Sequence, residues 1–236
     1  MKAIVTGGAG FIGSHLVELL LARGHEVAVL DNLTTGSRKN LRGVEGQPGW
    51  SFHPVDVTDI QAIRPLFERA DWVFHLAALA DVVPSIERPL DYFRVNVDGT
   101  AAVVEAARLA GVKRLVYAAS SSCYGIPDEV PTPETAPIRP RYPYALTKYL
   151  GEQVVLHWGQ VYRLPVVHVP KRPAEPDRTF ADTTRIRERL GWRPEVSFEE
   201  GVRRMLARLE DWRDAPVWTP ESISRATREW FEFLAE

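Results

Sequence analysis

Tyr144 and Lys148 stand four residues apart in Tyr-Pro-Tyr-Ala-Leu-Thr-Lys. On a helix that spacing puts both side chains on one face, one turn apart. An ammonium beside a phenol favours the phenolate, lowers the phenol's pKa towards neutrality and makes its oxygen a general base. Ser120, Ser121 and Ser122 close an apolar run upstream. A serine hydroxyl there can share a substrate oxygen with Tyr144. Tyr-x-x-x-Lys alone is a frequent coincidence; its weight here comes from its place at the start of a long helical pattern that follows a strand pattern. The chemistry is proton exchange at an alcohol or carbonyl, and it needs a partner that exchanges a hydride.

The N-terminus implies that partner. Gly7, Gly10 and Gly13 lie in Thr-Gly-Gly-Ala-Gly-Phe-Ile-Gly, between a strand pattern and a helix pattern. A tight turn needs a residue free to take positive φ, and a pyrophosphate needs bare backbone N–H groups beside a helix N-terminus. Asp31 follows at the end of the second strand pattern, where a carboxylate binds both ribose hydroxyls and repels a 2′-phosphate. The dinucleotide expected is therefore NAD rather than NADP. Asp56 and Val57, just past the third strand pattern, either meet an adenine edge or serve as a simple cap before the helix at Asp59. Leu76, Ala77 and Ala78 suit a close approach of backbone to cofactor, and equally well just pack. Asn96, a poor interior helix residue, reads as a bridge from helix to sheet. His75, on an apolar strand, reads as a satisfied core histidine. No His/Cys/Asp/Glu spacing indicates a metal site.

These residues must be positioned by an alternation of apolar runs and amphipathic stretches. Strands are expected at Lys2–Thr6, Glu26–Asp31, Trp50–Val55, Trp72–Leu76, Arg114–Ala119 and Pro165–Val169. Helices are expected at Phe11–Arg23, Asp59–Arg69, Leu90–Ala110 and Tyr142–Tyr162, then at Asp182–Leu190, Ser197–Trp212 and from Thr219. Strands this continuous in Val, Ile and Leu are covered on both faces. The fold class is α/β, a doubly wound parallel sheet of Rossmann type. Ile126–Pro143 carries six prolines and reads as a surface loop. Ser197 and Glu200 form a capping box.

Composition sets the bounds. The chain has 236 residues, 45% hydrophobic and 25% charged, with a formal net charge of −2. That charge gives no electrostatic case for nucleic acid or an anionic membrane. One cysteine, Cys123, excludes an intramolecular disulfide. No secretory signal pattern and no apolar stretch near 20 residues is present, so a cytoplasmic location is expected.

Together the segments resemble the extended short-chain dehydrogenase/reductase family, in its nucleotide-sugar epimerase and dehydratase branch, of the UDP-glucose 4-epimerase type. The matching segments are residues 6–15, Asp31-Asn32, Asp56-Val57, His75 to Ala78, Asn96 to Thr100, Ala119 to Gly125, and Tyr144 with Lys148. The resemblance implies that Gly7, Gly10, Phe11 and Ile12 cradle the pyrophosphate. It implies that Asp31 and Asn32 hold the adenosine ribose, and that Asp56 and Val57 bracket the adenine. Lys148 would hold the nicotinamide ribose and polarise Tyr144, with Ser120 as the catalytic serine. In that mechanism the tyrosinate takes the C4 hydroxyl proton of a UDP-sugar while NAD takes the hydride. The keto-sugar turns over and the hydride returns to the other face. The dehydratases carry an Asp-Glu pair where this chain has Ser121 and Ser122, which argues for epimerisation and makes these serines substrate contacts. The resemblance also implies a homodimer through helices 90–110 and 142–162.

Past Val167 the chain departs from that pattern. Most of the expected substrate lobe is missing, and a segment around Arg172, where the family's arginine meets a diphosphate, follows directly. Leu190-Gly191-Trp192-Arg193-Pro194 continues the pattern. The expected domains are residues 1–169, which bind NAD, and residues 170–236, a shortened helical substrate lobe. Three functions remain open: a nucleotide-sugar epimerase, an NAD-binding protein with weak or no catalysis, and a dehydrogenase of a smaller alcohol or carbonyl.

Overall fold

The computed structural model describes residues 1–167 and 183–207 and, beyond them, residues 219, 221, 222, 225 and 228. The chain divides into two compact units, Met1–Ala181 and Asp182–Glu236. The boundary expected from sequence, at 169/170, lies outside the described residues, as do Arg172 and the ends of several expected elements.

Among the described residues, the first unit is built on six parallel strands: β1 (Lys2–Thr6), β2 (Glu26–Leu30), β3 (Trp50–His53), β4 (Trp72–His75), β5 (Arg114–Tyr117) and β6 (Val166–Val167). Their order is β3-β2-β1-β4-β5-β6. Alternate residues of the strands feed two apolar layers. Ala3, Val5, Val27 and Val29 pack with Val17 and Leu20 of helix α1 (Phe11–Ala22). Ile4, Ala28 and Leu30 face the opposite layer. That layer is closed by Ile63 of α2 (Ile60–Ile63) and Val103, Val104 and Ala107 of the helix at Gly99–Leu109. This is the doubly wound arrangement expected.

Several elements are shorter than the sequence implies. β3 stops at His53 because Pro54 has no N–H to give the ladder. β2 stops at Leu30, although the next N–H, that of Asp31, still reaches the His53 carbonyl at 3.2 Å while the Asp31 carboxylate turns back onto the Ala9 and Leu33 N–H groups. The expected helix at Asp59–Arg69 is α-helical only over Ile60–Ile63; Pro65 converts the rest to a 3₁₀ turn over Arg64–Phe67. A short helix the sequence did not reveal, α3 (Val82–Glu87), contains Pro84 and leads into α4 (Pro89–Phe93). Arg94–Asp98 is a π-helical segment between α4 and α5 (Gly99–Leu109), so the expected helix at 90–110 is continuous but not uniform. The long α6 (Pro143–Tyr162) matches expectation.

In the second unit, α7 (Thr184–Leu190) ends at Gly191, whose φ is +63°. α8 (Phe198–Leu206) starts with the expected cap, Ser197 Oγ accepting from the Glu200 N–H at 3.2 Å. Thr219 Oγ1 accepts from the Ser222 N–H at 3.2 Å, where the sequence implies that a last helix starts. No helix among the described residues is long and apolar enough to cross a membrane.

Candidate functional site

Strand order reverses between β1 and β4, and that is where an open α/β sheet leaves a crevice at its carboxyl edge. A cleft of about 540 Å³ lies there. From the turn after β1 it is lined by Gly7, Gly10, Phe11, Ile12 and Gly13. The ends of β2 and β3 contribute Asp31 and Asn32, and Asp56 and Val57; the end of β4 contributes Leu76, Ala77 and Ala78. Every residue the sequence placed on the dinucleotide, other than Tyr144 and Lys148, lines this one cleft.

Backbone geometry explains the glycines. Gly7 takes φ +68°, and a Cβ there would stand 2.7 Å from the Ala77 nitrogen. A Cβ on Gly13 would stand 2.2 Å from the Gly7 carbonyl oxygen. Helix α1 begins at Gly10 with no side-chain cap and no acidic residue in its first turn. Its leading N–H groups and the positive end of its dipole are left to an anion. Phe11 and Ile12, 66% and 62% exposed, present apolar surface at the same edge.

The carboxylates are anchored. Asp31 Oδ2 accepts the Ala9 N–H at 3.0 Å and Oδ1 the Leu33 N–H at 2.8 Å. Asp56 Oδ1 accepts from the Thr58 N–H at 2.9 Å and the Thr58 hydroxyl at 2.7 Å, and Oδ2 accepts from Asn32 Nδ2 at 3.1 Å. Burial acts to raise the Asp56 pKa, but the Thr58 and Asn32 hydrogen bonds and the charge of Arg94 outweigh it and hold it below its ordinary value. The helix cap proper is Asp59, whose Oδ1 accepts from the Ala62 N–H at 3.1 Å. Arg88, Asp91 and Arg94, from the segment leading through α4, also line the cleft. Sequence reading missed them, because they come from a helix running past the sheet edge rather than from a strand end. Thr34, Thr35 and Gly36 were missed as well, although their place directly after β2 was a usable signal.

Beyond the cleft, Ala118 leads to the hydroxyl cluster. Lys148, 5% exposed, donates from Nζ to the carbonyl of Ala118 at 2.7 Å, and Ala118 itself lines the cleft. The ammonium lies 4.3 Å from the centre of the Tyr117 ring. Burial lowers the Lys148 pKa to about 7, and the Glu152 carboxylate opposes that fall. The Tyr144 hydroxyl donates to Ser120 Oγ at 3.4 Å. Ser120 Oγ also accepts the Ser122 N–H at 3.2 Å, capping the 3₁₀ turn Ser121–Tyr124, and donates to Ser122 Oγ at 3.0 Å. One donor and two acceptors are all a hydroxyl has. Ser122 is therefore joined to the catalytic pair expected, while Ser121 is the first residue of the turn.

Two buried polar residues tie these parts together. His75 has Nδ1 2.7 Å from Thr6 Oγ1 and Nε2 3.0 Å from Thr100 Oγ1. The Thr100 hydroxyl donates to the Asn96 carbonyl at 2.7 Å, so Nε2 carries the proton and Nδ1 accepts from Thr6. Burial, and then Lys148, lower the His75 pKa to about 3, and it stays neutral. This is the core histidine expected. Asn96 does bridge, but to the wall after β4 and to α6 rather than to a strand. It accepts from the Leu79 N–H at 2.8 Å, and donates to the Leu79 carbonyl at 3.0 Å and to Thr147 Oγ1 at 3.1 Å. No group of three or more candidate metal ligands occurs among the described residues.

Residues 3–170 match the model of the NAD dependent epimerase/dehydratase family, and residues 164–205 match that of GDP-mannose 4,6 dehydratase. The UDP-glucose 4-epimerase of Mycolicibacterium smegmatis is 42% identical over 171 residues, which are 72% of this chain and 55% of that protein. The crystal structure of Thermus thermophilus UDP-glucose 4-epimerase in complex with NAD superposes with a TM-score of 0.65 at 45% identity. The superposition covers 70% of this chain and 53% of that one. The UDP-glucose 4-epimerase of Thermotoga maritima, solved with UDP-glucose, shares the fold: TM-score 0.79 at 24% identity, over 89% of this chain and 99% of that one. The chain spans about half the length of the curated relatives it matches.

Proposed function

The chain belongs to the NAD dependent epimerase/dehydratase family, and we propose that it binds NAD in the cleft at the sheet edge and acts as a nucleotide-sugar epimerase. The observation that carries this reading is the Tyr144–Ser120 hydroxyl contact at 3.4 Å beside a lysine whose ammonium bonds the cleft-lining residue Ala118. The names of the relatives, which are UDP-glucose 4-epimerases, support a UDP-sugar as the substrate class.

The residues present fit the cofactor. Gly7 and Gly13 leave room only for bare backbone, and the uncapped N-terminus of α1 suits a pyrophosphate. Each Asp31 oxygen, having accepted one N–H, keeps a lone pair for a ribose hydroxyl. Asn32, Asp56 and Val57 would hold the adenosine end, and Leu76, Ala77 and Ala78 form the wall across from the glycine turn. Bound NAD supplies reversible hydride exchange at the sugar C4. Tyr144, as the phenolate, would take the C4 hydroxyl proton and later return it. Ser120 would hold the same oxygen, turning its single O–H from Ser122 to the substrate. Lys148 as the ammonium would favour the phenolate and bind the nicotinamide ribose. The roles of Ser121, Ser122 and Arg172 in holding the sugar nucleotide belong to the same proposal. A homodimer through the helices at 90–110 and 142–162 is supported by exposed Leu90, Val161 and Tyr162; light scattering of the purified chain tests it.

A second reading keeps the cofactor and gives up turnover: an NAD-binding protein with weak or no catalysis. It is favoured by the departure from the family pattern past Val167, where the match to the epimerase/dehydratase model ends at residue 170. Epimerase assays on UDP-glucose, UDP-galactose and their N-acetyl and uronate forms separate the two. Interconversion that falls ~10²–10⁴-fold in Tyr144→Phe supports the first. Calorimetry showing NAD binding, with no nucleotide-sugar affinity and no turnover, supports the second. Turnover unchanged in Tyr144→Phe overturns the catalytic assignment.

A further inference from the structure

Tyr92 is among the largest fully buried side chains, is 2% exposed, and has no part in the mechanism above. Its hydroxyl donates to the Asp81 carbonyl at 2.6 Å. Its ring meets Tyr144 edge-on, with centroids 6.4 Å apart and planes at 78°. The Tyr142 ring stacks on Tyr144 with centroids 6.4 Å apart and planes at 8°. Both geometries fall within the range in which aromatic pairs attract. Two rings therefore hold Tyr144, and one of them is fixed by a hydrogen bond to the main chain.

Asp81 directly follows Leu79 and Ala80, which line the cleft. The same wall reaches the backbone of Tyr144 by a second route. Asn96 pairs with both backbone groups of Leu79 and donates to Thr147 Oγ1, and the Thr147 hydroxyl donates to the Tyr144 carbonyl at 3.0 Å. The main chain of Tyr144 is thus referenced to Leu79 and its ring to Asp81, two residues further along. Productive placement of a catalytic group tolerates about 0.5 Å or 10–20°. The Tyr144–Ser120 contact at 3.4 Å is at the long end of hydrogen bonding, so a small tilt of the ring decides whether it is made.

We propose that Tyr92 is a positioning residue: its phenol, anchored on the Asp81 carbonyl, holds the Tyr144 ring in line with Ser120 and references it to the wall of the cofactor cleft. This rests on the reading of Tyr144 as the base given above. The anchor holds across the working pH range. Burial, with a smaller contribution from Asp81 and against the opposing charge of Arg88, raises the Tyr92 pKa to about 12, so the hydroxyl keeps its proton and remains a donor. Nothing in the sequence marks Tyr92, because it stands 52 positions from the residue it aligns.

Tyr92→Phe keeps the ring and removes only the anchor. In the full chain it should lower kcat about tenfold or more, the scale on which small misplacements act. KM for the nucleotide-sugar and the Kd for NAD should change less than about twofold, a split that a merely structural residue does not give. Tyr92→Leu, which also removes the edge contact, should lower kcat further. An unchanged kcat in Tyr92→Phe overturns the proposal, as does a fall in kcat matched by a fall in NAD affinity and in Tm. If the wild-type chain turns over no nucleotide-sugar, the epimerase reading fails while this one is still decided. Ultraviolet difference titration of the NAD-loaded chain against Tyr144→Phe reads the ionisation of Tyr144 directly. A midpoint displaced in Tyr92→Phe at unchanged NAD affinity supports the proposal; an undisplaced midpoint overturns it.

Discussion

The two units of the chain obey the same local rules and differ in what those rules achieve. Helices in both are started by side-chain caps, Asp59 in the first and Ser197 in the second. In the first unit the helices deliver Val17, Ile63, Val103 and Val155 into fully or almost fully buried layers. In the second, neither α7 nor α8 has a buried residue, and Phe198 at the start of α8 is 81% exposed. Caps and turn glycines are enough to form a helix; a site also needs burial, which fixes side chains that are distant in sequence. A substitution in the first unit should therefore act on the cofactor cleft and on global stability. One in the second should act locally.

The largest expected loss of cofactor binding is at Gly13. The Cβ of Gly13→Ala would lie 2.2 Å from the Gly7 carbonyl oxygen and 2.7 Å from the Gly8 Cα. Both are backbone atoms of the turn proposed to cradle the pyrophosphate, so they cannot move aside without opening it. Calorimetric titration should show NAD affinity reduced by more than about 100-fold, which corresponds to roughly 2.7 kcal/mol, together with a lowered Tm. Wild-type NAD affinity in this variant would mean that the cleft is not the cofactor site.

His75 links stability to pH. Its folded pKa of about 3 lies below the ordinary 6.5, so the unfolded chain takes up the proton first as pH falls. The stabilisation is whole above about pH 6.5 and is lost progressively between there and about pH 3, by up to roughly 4–5 kcal/mol. Urea midpoints measured from pH 3 to 8 should fall steeply over that window. In His75→Gln the fall should be shallower, because no buried imidazole remains to be charged. An equal slope in both would remove His75 as the cause.

Most of this was legible in the sequence where the signal is local. Continuous apolar runs located all six strands, and the glycine turn, Asp31 and the small residues at 76–78 located the cleft, because strand ends must meet at one edge of a doubly wound sheet. The Tyr144–Lys148 pair was legible because one helical turn places both on one face, and a serine at the end of the fifth strand was legible beside it; that the serine is Ser120 was implied by the family resemblance. Pro84 hid α3, since a proline inside a short helix resembles a breaker. The π-helical stretch at Arg94–Asp98 was also hidden, and the side of the cleft formed by Arg88, Asp91 and Arg94 was hidden because it comes from the segment through α4 rather than from a strand end. That Ser122 Oγ accepts from the Ser120 hydroxyl was not legible, because the pairing is set by the turn geometry rather than by residue type. Tyr92 went unread because side chains meeting across tertiary structure leave no periodicity.

Lys148 should give a smaller, graded effect. Burial places its pKa near 7, and a ligand that requires the ammonium must compete with its deprotonation above that pH. NAD affinity should weaken by up to about tenfold per pH unit above 7, until the pKa of the bound state is reached. In Lys148→Met the affinity should be lower and flat over the same range. A pH-independent affinity in the wild-type chain would show that the ammonium is not used.

The smallest effect reverses the sign of the first. Gly201 lies in the interior of α8, and a Cβ added there meets no atom within 4 Å. Gly201→Ala imposes no clash and removes the conformational freedom that glycine loses on forming a helix, so it should stabilise α8 by about 0.5–1 kcal/mol. Amide hydrogen exchange should show slower exchange confined to Phe198–Leu206, with NAD affinity unchanged. The same glycine-to-alanine change would then abolish binding in one unit and strengthen a helix in the other. The difference follows from what each Cβ meets: a carbonyl oxygen at 2.2 Å for Gly13 and open space for Gly201. If Gly201→Ala instead lowered stability or cofactor affinity, α8 would have to carry close contacts of the kind that define the first unit, and the distinction between locally and tertiarily fixed helices would not hold for this chain.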